Sequence, residues 1–193
     1  MFQFHVIRAR QCITLALCGL LCSTPWAHVV FDPPQAVAGS NFKTNLRVGH
    51  GCNGEATHAL IAYLPAEMQG AKPQAKAGWR VTTQKTRLAT PYESHGKTVV
   101  EDVSEIRWEA TQPEHDLPDD QFDEFTFMAK LSGQPGPLWV RVLQVCATQR
   151  NDWAQVPAPA QDKTPGQRAR TLKYPAAVLE VLPPANTTPH HHH

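Results

Sequence analysis

With 193 residues, 18 lysines and arginines against 17 aspartates and glutamates, and a formal net charge of +1, the chain lacks the basic excess that nucleic-acid binding requires. Seventeen prolines and eleven glycines interrupt it too often for long helices, and beyond residue 22 no apolar stretch approaches the roughly 20 residues of a membrane-spanning helix. The length suits a single domain with a sizeable core.

Residues 1–27, MFQFHVIRARQCITLALCGLLCSTPWA, place Arg8 and Arg10 ahead of the apolar run Cys12 to Cys22 and a short polar stretch ending in Ala27. That is the order of a secretory signal peptide, and an apolar run of about 11 residues is short for an uncleaved anchor. Ala27 has the small size of the last residue before a cleavage site, whereas Pro25 departs from the A-x-A pattern. Leu21 stands where lipidation of Cys22 would want a small residue. Cleavage after Ala27 makes His28 the first residue of a periplasmic or secreted domain, and leaves 16 basic residues against 17 acidic ones.

Within that domain the periodicity predicts strands. In Phe42 to Val48, Phe42, Thr44, Leu46 and Val48 alternate with Lys43, Asn45 and Arg47, the period of a half-buried strand. Similar runs follow at Ala59 to Leu64, Trp79 to Thr83, Lys97 to Val100, Glu105 to Ala110, Phe122 to Leu131, Leu138 to Val145 and Ala176 to Leu182. Turn residues separate them at Gly49 to Gly54, Pro65, Gly78, Gly96, Pro118 to Asp120 and Gly133 to Pro137. Seven to nine strands in one domain predict an all-β, two-sheet sandwich. Pro157 to Gln167 reads as an extended loop, and the end from residue 184, finishing in His190 to His193, as an unstructured tail.

Cys12, Cys18 and Cys22 leave with the leader, so the exported domain keeps Cys52 and Cys146. An even pair in an oxidising compartment reads as a disulfide, and closing so long a loop restricts the unfolded chain by about 4 to 5 kcal/mol in the entropy model. The rival reading is a two-thiolate metal site, which requires the bond reduced.

The chemistry begins at His28. As a first residue it offers an α-amine, with a pKa of about 8, and an imidazole Nδ1, which together close a six-membered chelate ring on one metal. Two nitrogens from one residue favour Cu(II), which prefers tetragonal nitrogen and oxygen ligands and stands at the top of the affinity order. The plainer reading is a histidine that starts a strand. His50, two residues before Cys52, reads either as a loop histidine bonded to backbone or as an auxiliary group beside a metal. His58, His95 and His115 show no ligand spacing. His190 to His193 can capture metal weakly on a flexible tail.

Several motifs add to this reading. AHVVFDPPQAVAGS (Ala27 to Ser40) and LRVGHGCNGEATHALIAYLP (Leu46 to Pro65) are followed by AKPQAKAGWRV (Ala71 to Val81) and PYESHGKTV (Pro91 to Val99). LPDDQFDEFTF (Leu117 to Phe127) and LWVRVLQVCATQRNDWAQVP (Leu138 to Pro157) complete a series spanning about 130 residues. In this order they resemble the YcnI-like family of exported copper-binding domains. The resemblance implies an immunoglobulin-like β-sandwich in which Cu(II) is held by a single-histidine brace assisted by a carboxylate and a nearby tryptophan. Carried onto this chain, the brace falls on His28, the carboxylate on Glu124 and the tryptophan on Trp153; His50, read from its own position, stands as a loop histidine bonded to backbone or as a group just outside the metal's own ligands. The family's pairing also joins Cys52 to Cys146. Alternation in the strand Phe122 to Leu131 puts Glu124 on the face opposite Phe125 and Phe127, and Trp153 is expected as an apolar wall because an indole nitrogen is not a normal ligand.

The function these residues imply is a periplasmic copper(II) carrier, a metallochaperone or storage protein that changes no bonds and exchanges its ion with other copper-transport or copper-chaperone proteins. Two other classes compete: a copper monooxygenase acting on polysaccharide, for which a second histidine has no evident position, and an adhesion or assembly module without metal.

Overall fold

The computed structural model of the protein describes residues 28–184 apart from Gly133 and Gln161. The leader with its three cysteines, and the four terminal histidines, lie outside the described residues.

The alternation in the sequence becomes two packed sheets. Strands β1 (Val30–Asp32), β3 (Asn41–Val48), β5 (Met68–Pro73) and β8 (Asp123–Leu131) form a four-stranded antiparallel sheet in the order β1-β3-β8-β5. The second sheet runs β2 (Gln35–Val37), β11 (Ala177–Leu182), β9 (Gly136–Cys146), β4 (Thr57–Tyr63), β7 (Lys97–Ala110) and β6 (Trp79–Ser94), with β10 (Arg150–Trp153) also on β9. Asp32–Pro33, a cis peptide bond, passes the chain from one sheet to the other between β1 and β2.

The inward positions of each strand carry the apolar residues. Leu46 and Val48, Phe125 and Phe127, Leu60 and Ala62, Ile106 and Trp108, Val140 and Val142, and Leu179 and Val181 are all buried in one core. Phe125 is ringed edge-on by Trp79 at 5.1 Å and Trp108 at 5.7 Å, the aromatic geometry that adds to the gain from burial. Removing each such side chain from water is worth roughly 1.5 to 3 kcal/mol.

Eleven strands occur among the described residues, where seven to nine were expected. Lys97 to Val100 and Glu105 to Ala110 prove to be one strand, β7, and the strand begun at Trp79 continues to Ser94. The outer halves of β6 and β7 are mostly exposed, so no burial pattern marked them. His95 and Gly96 close this hairpin with φ of 51° and 71°, the left-handed pair that a two-residue turn between twisted strands requires. Pro157 to Gln167 is not wholly extended: Pro165–Ala169 forms one helical turn, α1, whose start is capped reciprocally by Thr164 and Gln167.

Candidate metal centre

One edge of β9 is shared by two strands. β11 pairs with its first half, Ala177 opposite Val140, and β10 pairs with its second half, Trp153 opposite Val142. The gap between them is bridged by Gln155 and Pro175 and by bonds from the Ala154 and Gln155 amides to the Tyr174 carbonyl. Trp153 is thereby fixed beside Tyr174, with ring centres 5.5 Å apart.

Beneath it lies Gln144, a fully buried polar side chain. Its place on β9 is set by alternation: Val140, Val142, Gln144 and Cys146 all face inward. A buried amide must have its partners, and this one has all four. Its Nε2 donates to the His50 carbonyl and to Thr57 Oγ1, both at 2.7 Å. Its Oε1 accepts from Trp153 Nε1 at 3.1 Å and from Asn151 Nδ2 at 3.4 Å. The indole N–H is thus directed inward, and the rest of the ring is left as a wall.

The wall faces two histidines. His28 meets Trp153 edge-on with 5.9 Å between ring centres, and His50 meets the same indole with 6.2 Å. His50 is held through three attachments. Its carbonyl bonds Gln144, its own Nδ1 pairs with the Gly51 carbonyl, and Cys52, two residues on, is joined to Cys146 at the end of β9. Gly51 itself passes so close to Glu55 that a Cβ there would lie 1.8 Å from its carbonyl oxygen, which explains a glycine in the GHGC motif. Glu55 ties the same loop to the far side of the disulfide by accepting from the Thr148 and Gln149 amides.

His28 is half-buried at the head of β1, next to the buried Val29. Burial lowers its pKa below the ordinary imidazole value, with the charges of His50 and Arg170 acting the same way and a hydrogen bond to the Leu172 backbone carbonyl opposing them. The ring is therefore biased towards the neutral form that a metal needs. Beside it opens a cleft of about 230 Å³, walled by apolar residues including Val30, Pro34, Ala169 and Ala176, with Arg47 also on its lining.

Glu124 lies on the outer face of the first sheet, two strands from β1. Phe125 and Phe127 are buried and Glu124 faces outward from β8, as the alternation predicts. Its carboxylate accepts from Asn45 Nδ2 at 2.9 Å, and it is registered against Arg47, which pairs with Asp32 at 2.7 Å. Because β3 lies between β1 and β8, the backbones of those two strands are about 10 Å apart. Among the described residues no group of three or more His, Cys, Asp or Glu side chains is gathered for a metal. The structure brings together His28, His50 and Trp153, and leaves Glu124 with Asn45. His58 pairs with Asp116 at 2.9 Å, and His115 with Thr111 at 2.9 Å.

Three residues of this neighbourhood escape sequence reasoning. Gln144 was detectable, as a polar side chain at an inward position of the LQVC run. Tyr174 and Leu172 carry no signal, since they reach the site only through the turn that joins α1 to β11.

A family profile described as a domain of unknown function (DUF1775) matches residues 28–181. No curated protein matches the chain significantly. Among solved structures it is similar to an uncharacterized protein from Nocardia farcinica, described as having an immunoglobulin-like fold, with a TM-score of 0.57 and 20% identity over 80% of this chain and 98% of that one. Among the described residues no helix is long and apolar enough to cross a membrane. Cys52 and Cys146 form the expected disulfide, with Cα atoms 6.0 Å apart, and the fold is the expected all-β, immunoglobulin-like sandwich. The chain belongs to the DUF1775 family, which is the YcnI-like family that its motifs resemble.

Proposed function

We propose that the exported domain carries copper(II) as cargo at His28, once proteolysis after Ala27 has made that residue the N-terminus. The observation that carries this reading is the setting of His28: half-buried, biased to the neutral form, tied by one ring nitrogen to the Leu172 carbonyl and braced against Trp153. The match to the family, which also begins at residue 28, supports it.

In this account the α-amine and Nδ1 of His28 bind the ion. Trp153 excludes water from one side. Glu124 enters by the family resemblance alone, as a negative charge on the outer face of the first sheet. Open coordination positions permit exchange with a partner, so the protein serves as a periplasmic or secreted chaperone or store and catalyses no reaction.

Calorimetric titration of Cu(II) into protein beginning at His28 and lacking residues 185–193 tests this. One tight site is expected, absent in His28→Ala. A wild-type protein without a tight site would leave an assembly module as the better account.

A further inference from the structure

A second concavity opens where the tip of the β6–β7 hairpin meets the outer face of the four-stranded sheet. It is a cleft of about 690 Å³, a size typical of small-ligand sites. Strand register sets its floor. Lys130 of β8 stands between Asn41 of β3 and Gln69 of β5, and Met128 stands between Lys43 and Lys72. Opposed residues share a face of the sheet, so side-chain amides, ammonium groups and the exposed Met128 make one outward patch. The wall is formed by Tyr92 to His95 of the hairpin. Asp102 accepts from the Tyr92 hydroxyl at 2.6 Å and from the Gly70 amide of β5 at 2.8 Å, which fixes the wall against the floor.

The charge on this patch is one-sided. Lys72 and Lys130 line the cleft and Lys43 stands beside it, and among the described residues none of the three is in an ion pair. The acid on the lining, Glu93, is engaged by the Thr98 hydroxyl. We infer that the cleft binds a small oligosaccharide carrying carboxylates. Lys72 and Lys130 take the carboxylates, Asn41 and Gln69 offer donors and acceptors to sugar hydroxyls, and Met128 with the Tyr92 ring gives apolar contact to the faces of the sugar rings. A peptide recognised through its backbone needs a free strand edge, and β3 and β8 are paired on both sides. The lining includes neither His28, Trp153 nor Glu124, so this site does not depend on the copper reading.

Nuclear magnetic resonance titration of the metal-free protein that begins at His28, with trigalacturonate as the probe, tests this. Saturable shifts are expected at the Asn41 and Gln69 side-chain amides and at Ser94 and His95. Lys72→Ala and Lys130→Ala should each weaken binding about 10-fold, the scale of one lost charge-assisted hydrogen bond, whereas Lys163→Ala, on the loop before α1, should leave it unchanged. Both lining lysines are exposed, so the variants keep the fold, and the wild-type shifts are read without any substitution. Maltotriose, which lacks carboxylates, and tetraglutamate, which lacks sugar rings, should each bind about 10-fold more weakly or worse than the probe. No saturable shift at the cleft, or undiminished affinity when both lysines are replaced, would overturn the inference. Tetraglutamate binding as tightly as trigalacturonate would overturn it in favour of an acidic peptide.

Discussion

Gln144 shows how much of the candidate centre depends on a single side chain. Replacing it with leucine keeps the volume but strips partners from Trp153 Nε1, the His50 carbonyl and Thr57 Oγ1. Each buried polar group left unpaired costs about 1 to 3 kcal/mol, and partial relaxation should hold the sum to about 2 to 4 kcal/mol. Urea unfolding of Gln144→Leu should therefore show a clearly lower midpoint with an unchanged slope. Thr44→Val is expected to behave oppositely. Thr44 Oγ1 is buried and has no hydrogen-bond partner among the described residues, so the apolar isostere should be neutral or stabilising by up to about 1 kcal/mol in the same measurement. At this scale the sequence made His28, Trp153 and the outward face of Glu124 legible, through the leader boundary, the motif series and strand alternation. It left open whether His50 serves the backbone or the site, because its contact with Trp153 depends on how Gln144 holds two distant segments together.

The long β6–β7 hairpin is the element in which sequence and structure differ most. Its inner half is marked by alternating apolar residues, and its turn by Gly96. The middle of β6, Gln84 to Arg87, is exposed, and between Gln84 and Tyr92 the strand changes register twice against β7, so nothing in its hydrophobicity betrays a strand. Tyr92 anchors this outer half by donating to Asp102 at 2.6 Å, and Asp102 also accepts from the Gly70 amide of β5. Burial first, then the hydrogen bond to Asp102 and its charge, push the Tyr92 phenol up to about 12. Since the folded pKa lies above the unfolded one, of about 10, the stabilisation is complete below pH 10 or so and is lost as pH rises through about 12. Ultraviolet titration should find one phenol ionising only near pH 12, and Asp102→Asn should bring it down. An unchanged titration in that variant would show that the Asp102 contact does not set it. The helical turn α1 was legible in principle from Thr164, Pro165 and Gln167, a capping pattern with proline at the first helical position, but its glycine and the surrounding prolines masked it.

At the level of the whole molecule, the sandwich was legible because most core strands alternate, β4 with its continuous apolar run being the exception, and the disulfide because two cysteines remain once the leader is set aside. The bond spans 94 residues and fastens the His50 loop to β9. Replacing both cysteines by alanine is expected to cost about 2 to 5 kcal/mol of unfolding free energy, read by thermal or denaturant melting, and to loosen the His50 side of the centre. The centre itself was legible only in part, since its residues come from the head of β1, the GHGC loop, β9, β10 and the turn before β11. Such meetings are made by topology, which local patterns do not encode.

The most direct test of the account adds one residue before His28. The imidazole, the tryptophan wall and the fold all persist in that variant, while the α-amine moves out of chelating range. Calorimetry should find tight Cu(II) binding to the protein that begins at His28 and its loss in the extended one. Equal affinity in the two would show that the amine is not a ligand, and would contradict the proposed site.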